Sequence, residues 1–209
     1  MTTSRPKVLD IVSAYYSEKL AAHGDTPQGV DWNGEASQML RFEQLGKVVS
    51  EIDSFSVNDL GCGYGALLEF FESKFSSFSY SGFDVSADMI TAANKRKGKE
   101  NDARFIVAAE PDVVSDYGIA SGIFNVRLQF TDDEWSKYLL NTLDVLNLTS
   151  NKGFSFNCLT KYSDEEKMRD YLYYADPCFL FDHCKSKYSR QVALYHDYGL
   201  YEFTIVVRK

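Results

Sequence analysis

The stretch VNDLGCGYG, residues 57–65, decides how this chain folds. It contains the end of a strand predicted at residues 56–60, and a helical pattern follows its last glycine. Glycines at alternate positions let the backbone turn sharply and approach a ligand, and the start of the next helix offers free N–H groups. The stretch therefore predicts a strand, a ligand-binding turn and a helix in direct succession.

Two carboxylates accompany this turn. Asp59 stands two residues before the first glycine, where its charge would suit an ammonium group on a ligand. Residues 79–83 predict the next strand, and Asp84 at its end can accept two hydrogen bonds from a ribose. A ligand that contains a nucleoside is therefore indicated, and the glycine spacing by itself also fits the dinucleotide fingerprint.

The rest of the chain predicts an α/β fold. After residue 55, short apolar runs alternate with longer helical periods, which is typical of a doubly wound, mainly parallel sheet. The last two runs are separated by too few residues for a crossover helix, so we expect those two strands to be antiparallel. Further strands are predicted at residues 104–108, 117–124, 153–159, 192–195 and 203–207.

The first 55 residues lack a strand pattern and predict a helical cap. Apolar residues at helical spacing indicate helices at 11–20 and 39–52, joined by a segment rich in Gly, Asp and Asn. We expect one domain over residues 1–209, in which the cap of residues 1–55 covers the carboxyl edge of the sheet formed by residues 56–209.

Two segments match the capping-box pattern, in which a Ser or Thr and a Glu three residues later satisfy each other's backbone donors. One runs from Thr131 to Glu134 and the other from Ser163 to Glu166. Each predicts the start of a helix.

Composition excludes several classes of protein and partner. Of the 209 residues, 44% are hydrophobic and 25% are charged, as in an ordinary globular domain rather than a disordered chain. The net charge of −8 argues against a nucleic-acid partner, and no apolar run reaches the roughly 20 residues of a membrane span.

The start of the chain lacks the apolar region of a signal peptide, so a cytoplasmic location is expected. No metal is expected, because Cys178, His183 and Cys184 fit no common zinc spacing.

Together these features resemble the class I S-adenosylmethionine-dependent methyltransferases. Residues 59–65 are similar to the first motif of that family, and residues 82–90 are similar to its second. The resemblance covers roughly residues 55–209, and the N-terminal part is similar to the cap of small bacterial members. It implies a Rossmann-like sheet of seven strands with one reversed strand near the C-terminus, and S-adenosylmethionine as the cofactor.

The resemblance also implies a set of cofactor-binding residues. It assigns Asp84 to the ribose, Met89 to the adenine and Arg41 of the cap to the carboxylate of the cofactor. Glu110 falls where the family lines the adenine, often with Asp. The complete set expected at the cofactor is Trp32, Arg41, Asp59, Gly61, Cys62, Gly63, Asp84, Val85, Met89 and Glu110.

Side chains for the methyl acceptor are expected after the fourth predicted strand, where the crevice of such a sheet lies. Asn125 could contact the cofactor or the substrate. Arg127 could hold an anionic substrate, or it could pair with Asp132 or Asp133 on the surface.

The histidines are candidates for the general base that an oxygen or nitrogen acceptor can need. His183 lies on the helix predicted after the fifth strand, and His196 lies at the turn between the last two strands. Either could instead be a hydrogen-bonded structural residue. His23 of the cap is a third candidate. Tyr16 could wall the substrate cavity or pack on the core.

The leading hypothesis is a methyltransferase that acts on a small-molecule acceptor, a metabolite or a sugar, at oxygen or nitrogen. A nicotinamide-dependent oxidoreductase is the first alternative, although no Tyr-x-x-x-Lys pair follows the glycine motif. A non-catalytic cofactor-binding protein with the same fold is the second alternative.

Overall fold

The structure is a computed structural model that describes residues 5–32, 34–50, 53–96 and 102–209. The last two residues of the helix predicted at 39–52 lie outside the described residues.

The elements of the described chain alternate in type after residue 55, as the sequence predicts. The strands are β1 (Phe55–Leu60), β2 (Phe78–Asp84), β3 (Ala103–Val107), β4 (Ser115–Ala120), β5 (Ser150–Leu159), β6 (Gln191–Tyr195) and β7 (Glu202–Arg208). The α-helices are α1 (Arg5–His23), α2 (Glu35–Leu45), α3 (Ala66–Lys74), α4 (Ala87–Arg96), α5 (Asp132–Leu148) and α6 (Pro177–Lys187). Short 3-10 helices lie at Pro27–Val30, Gly46–Val48 and Glu165–Lys167. No helix in these described ranges is long and apolar enough to cross a membrane.

The strands form one sheet with the order β3-β2-β1-β4-β5-β7-β6. The neighbouring strands from β3 to β5 are parallel, and β7 runs antiparallel between β5 and β6. The structure therefore confirms the predicted seven-stranded, mainly parallel sheet with one reversed strand.

The position of β1 creates the crevice of the sheet. It pairs with β2 on one side and with β4 on the other, so Asp59 lies opposite Gly82 and opposite Ile119. The chain moves outward from this point in both directions, so the loops that follow β1 and β4 diverge at the carboxyl edge. In open α/β sheets, ligands bind at this point where the strand order reverses.

An apolar core covers each face of the sheet. Helices α2, α3 and α4 enclose one core, around the buried rings of Phe71 and Tyr80. Helices α5 and α6 enclose the other, around Trp135 and Phe156, and α1 adds Val8 to it. Burial of these side chains orients the helices and leaves the carboxyl edge for a ligand.

Some predicted boundaries are wrong. The fourth strand was expected to reach residue 124, but β4 ends at Ala120 because Gly122 turns the chain at a φ of 76°. Helix α2 ends at Leu45, and a 3-10 turn replaces the predicted continuation. Helix α1 extends beyond the predicted 11–20 at both ends.

The two capping-box patterns have different outcomes. The Thr131 hydroxyl accepts the Glu134 backbone N–H, and the Glu134 carboxylate accepts the Thr131 backbone N–H, so the box caps α5 as predicted. The Ser163 hydroxyl instead donates to the Thr160 carbonyl at 2.7 Å. The short 3-10 helix that follows, Glu165–Lys167, has Asp164 and not Ser163 at its N-cap, and no side chain caps it. The second prediction is therefore wrong.

The Thr131 box gives a direct test of local stability. We expect Thr131→Ala to lower the free energy of unfolding by about 1 kcal/mol, because the Glu134 backbone N–H loses the hydroxyl that accepts its hydrogen bond. That loss corresponds to about 2–4 °C in melting temperature for a chain of this length. Thr131→Ser keeps the hydroxyl and serves as the control, and differential scanning calorimetry should find it within about 1 °C of the parent. Equal losses in the two variants would contradict the capping role.

Candidate functional site

A cavity lies at the carboxyl edge of the sheet and has about 940 Å³ of empty space, part of it open to solvent. The loops after β1, β2 and β4 form its floor, and α1 and the first turns of α2 form its roof. The cavity therefore occupies the crevice that the strand order creates.

Glycine allows the turn after β1 to contact two other parts of the chain. A Cβ at Gly61, where φ is 77°, would lie 2.0 Å from the Ile123 side chain in the loop after β4. A Cβ at Gly63, where φ is 53°, would lie 3.1 Å from Val30 of the cap. A larger residue at Gly61 would be strained and would push the two loops apart.

Asp84 ties the turn after β1 to the start of α4. Its Oδ2 accepts the Gly63 backbone N–H at 3.0 Å, and its Oδ1 accepts the Ser86 backbone N–H at 2.8 Å. Burial raises the pKa of Asp84, and these backbone hydrogen bonds oppose the rise. A carboxylate oxygen can accept more than one hydrogen bond, so both oxygens keep capacity for a ligand.

Asp59 carries a buried acceptor that the protein leaves without a partner. The residue is 2% exposed, its Oδ2 accepts the Tyr80 hydroxyl, and its Oδ1 makes no hydrogen bond. Burial raises the pKa of Asp59 to about 7, the Tyr80 hydrogen bond lowers it, and the charge of Asp84 adds to the rise. An unpaired buried carboxylate oxygen is costly, so this atom marks a place where a cationic group of a ligand would fit.

Ser121 brings a second unpaired polar atom to the same cavity. Its hydroxyl is buried, makes no hydrogen bond and belongs to the loop after β4. The cavity thus combines an orphaned carboxylate oxygen, an orphaned hydroxyl and an acid at the end of β2. This donor and acceptor set fits a ligand with an ammonium group and a ribose, as S-adenosylmethionine has.

A polar cluster holds the cap over the cavity. Asp31, at a φ of 63°, accepts the Tyr15 hydroxyl at 2.8 Å and the Lys19 ammonium at 2.7 Å. These contacts fasten the segment between α1 and α2 to α1, so Trp32 and Tyr16 both face the cavity.

The structure brings most of the predicted site residues together. Those that line the cavity are Tyr16, Trp32, Asp59, Gly61, Cys62, Gly63, Asp84, Val85 and Met89. The role of each one at the ligand stays a prediction.

Two predicted cofactor residues do not line this cavity. Arg41 is buried behind Trp32, and its guanidinium makes a double hydrogen bond with the Glu202 carboxylate. Arg41 was expected to contact the carboxylate of the cofactor, but in the structure it forms an internal ion pair with Glu202. Glu110 is exposed and borders a neighbouring open groove instead of the cavity.

Asn125 and Arg127 hold the loop after β4 and stay outside the cavity. The Asn125 side chain accepts the Leu159 backbone N–H at 3.0 Å. Arg127 donates to two backbone carbonyls and pairs with Asp132 at 3.1 Å, so the surface interpretation of this arginine applies. Neither residue lines the cavity, and the Asn125 amide oxygen and the Arg127 guanidinium have partners within the chain, so the structure does not support the expected ligand contacts.

The histidines also lie away from the cavity. The His183 ring is within hydrogen-bond distance of the Tyr188 hydroxyl, 3.3 Å, on the face of the sheet that α6 covers. His196 is exposed and packs against the Tyr162 ring, and His23 is exposed at the end of α1. The structure therefore places none of these residues where a base would contact a ligand in the cavity. Among the described residues, no three potential metal ligands are grouped.

Sequence reasoning missed several residues that line the cavity. Ser121 was hidden because the fourth strand was predicted to continue past it. Tyr138 and Thr142 lie on the buried face of α5, and a helical pattern does not distinguish positions that line a cavity from positions in the core. The earlier end of β4, signalled by Gly122, would have pointed to the Ser121 hydroxyl.

Comparisons with known proteins agree with this geometry. A family model described as a methyltransferase domain matches residues 57–148. The chain is 58% identical over 163 residues to Rv1506c of Mycobacterium tuberculosis, which bears the provisional name of a methyltransferase; the match covers 78% of this chain and 98% of that one.

Solved structures share the fold at low sequence identity. Magnesium protoporphyrin IX methyltransferase from Synechocystis PCC 6803, with bound S-adenosylmethionine, aligns with a TM-score of 0.68 at 15% identity over all of both chains. The DhpI complex with S-adenosylhomocysteine aligns with a TM-score of 0.63 at 13% identity over 97% of each chain.

The length and identity of the match to Rv1506c show the family, and the glycine turn with its two acids lies inside the matched domain. The nicotinamide-dependent and non-catalytic alternatives are thereby set aside. The chain belongs to the methyltransferase family and is a class I S-adenosylmethionine-dependent methyltransferase.

Proposed function

We propose that this methyltransferase modifies an oxygen or nitrogen atom of a small molecule that carries no net negative charge. The observation that carries the proposal is the chemistry of the cavity wall. The cavity is roofed by α1, and none of its described lining residues is Lys, Arg or His. A phosphate or carboxylate on the acceptor would find no cationic partner there.

Asp59, Asp84 and Ser121 would bind the cofactor at one end of the cavity. Asp59 Oδ1 is suited to the ammonium group, Asp84 to the ribose hydroxyls, and the Ser121 hydroxyl to a further polar group of the cofactor. When bound, S-adenosylmethionine supplies an activated methyl group on its sulfonium sulfur. The residues of this chain would bind the cofactor and orient it.

The acceptor end would lie against α1 and α5. Tyr16 and Tyr138 bring two phenol rings to a wall that is otherwise mainly apolar. Burial and the charges of Asp31 and Asp84 raise the pKa of Tyr16, so its hydroxyl stays protonated and can donate a hydrogen bond at neutral pH. A polar but uncharged acceptor with an apolar body fits this wall.

No histidine lines the cavity, so a histidine base would not remove a proton from the acceptor. We propose that the acceptor atom attacks through a lone pair it already carries, as a neutral amine nitrogen does, or loses its proton to water. The rate of transfer should then follow the protonation of the acceptor itself.

The pairing of Asp59 with the ammonium group predicts a pH dependence of cofactor binding. The pKa of Asp59 is raised to about 7, and a bound cation would lower it, so binding below pH 7 must release a proton. We expect the affinity for S-adenosylhomocysteine to rise by about ten- to twentyfold between pH 5.5 and 7.5, with about one proton released near pH 6. Calorimetry in two buffers of different ionisation enthalpy measures both quantities.

Asp59→Asn is the matched control, because the amide keeps an acceptor for Tyr80 but cannot titrate. We expect it to weaken binding at pH 7.5 by at least about tenfold and to abolish the proton release. Its unliganded form should also lose less stability than the parent as pH rises from 5 to 8, since the raised pKa stabilises the protonated parent only at low pH. Proton release that persists in Asp59→Asn would contradict the assignment.

The proposed acceptor class is tested with matched pairs of small molecules. Transfer of a labelled methyl group from S-adenosylmethionine is measured to amines and alcohols and to their carboxylated or phosphorylated counterparts. We expect a neutral member to be methylated at least about tenfold faster than its anionic counterpart, because the cavity offers no cation to pair with the added charge. Transfer confined to anionic molecules, or to protein or RNA, would overturn the proposal.

A further inference from the structure

Trp32 of the cap lies directly on the loop after β4. A Cβ placed on Gly122, where φ is 76°, would lie 2.5 Å from the indole ring of Trp32. Both residues line the cavity. Only glycine at position 122 permits this approach, because any side chain there would overlap the indole ring.

Arg41 stacks on the same indole ring. The centre of its guanidinium lies 3.8 Å from the centre of the Trp32 ring, which is a close cation–π contact. The same guanidinium donates from Nε and Nη2 to the two oxygens of Glu202, at 2.7 and 2.8 Å. Arg41 therefore joins a residue of the cap to the first residue of β7.

Asn157 links Glu202 to Gly122 at the cavity wall. Its Nδ2 donates to Glu202 Oε2 at 2.7 Å, and its Oδ1 accepts the Gly122 backbone N–H at 2.8 Å. Arg41, Glu202 and Asn157, here called the polar chain, thus link the two sides of the contact between Trp32 and Gly122. All three residues are buried.

Stability alone is a weak reason for such an arrangement. A buried ion pair is often no more stabilising than apolar side chains of the same volume. Nη1 of Arg41 is also buried without a hydrogen bond, which adds a cost. The polar chain does, however, hold Trp32 and the Gly122 amide in position at the cavity wall.

We propose that Arg41, Glu202 and Asn157 are positioning residues for the cofactor, which act by holding Trp32 of the cap against Gly122. None of the three is itself among the described lining residues, so their influence passes through two residues that are, Trp32 and Gly122. The inference rests on the proposed placement of the cofactor between Asp59 and Asp84.

The test is a double-mutant cycle on S-adenosylhomocysteine affinity, measured by calorimetry well below the melting temperature of every variant. Arg41→Lys keeps the charge but loses the planar fork and the stacking surface. We expect it to weaken binding at least about fivefold in the parent and less than about twofold in a Trp32→Ala background, because the effect passes through Trp32. Trp32→Phe, which keeps a ring for Arg41, should retain more affinity than Trp32→Ala.

One control and one further variant separate positioning from a loss of folding. Val207→Ala removes buried side-chain volume from the same strand as Glu202 but far from the cavity lining, and should lower the melting temperature without changing affinity. Glu202→Gln is the second probe of the polar chain, should Arg41→Lys fold poorly. We expect it to weaken binding as well.

The outcomes also distinguish this inference from the proposed function. Full loss of binding in Asp84→Ala together with unchanged affinity in Arg41→Lys and Glu202→Gln would overturn the positioning role alone. Unchanged binding in Asp84→Ala would overturn the placement of the cofactor. Effects of Arg41→Lys and Trp32→Ala that simply multiply would show that Arg41 does not act through Trp32.

Discussion

The parallel pairing of β1 with both β2 and β4 is the constraint on which the rest of the structure depends. It brings the carboxyl ends of these strands to one edge and forces the loops after β1 and β4 to diverge from a shared point. Asp59, the glycine turn and Asp84 reach the cavity only because this pairing aligns them. The remaining elements cover the faces of the sheet or close the edge.

The cavity also shows a conflict between stability and ligand binding. Burial raises the pKa of Asp59 and of Asp84, so the unliganded protein keeps two acids where their charged forms are unfavourable. Within the chain, only the Asp59 Oδ2 atom has a partner, the Tyr80 hydroxyl, and the buried Oδ1 has none. The carboxylate makes physical sense once a cationic ligand group completes its environment.

The two capping-box patterns show when a local residue pattern predicts structure and when it does not. The capping box at Thr131 forms because both of its partners lie within four residues and the following helix is well buried. The same pattern at Ser163 fails, because a competing backbone carbonyl, that of Thr160, accepts the hydroxyl hydrogen bond. A local motif is thus reliable only where no neighbouring group competes for its donors and acceptors.

Residue patterns alone were enough to predict the fold class, the succession of strands and helices along the chain, and the two acids beside the glycine turn. These follow from short-range patterns of burial, glycine spacing and strand ends, which few other arrangements can satisfy. Only the tertiary structure decided that Arg41 pairs with Glu202, 161 positions away, instead of a ligand, and that the histidines face away from the cavity. Side-chain partners are chosen by proximity in space and by the need to pair buried charges, and a single sequence carries no direct signal for either.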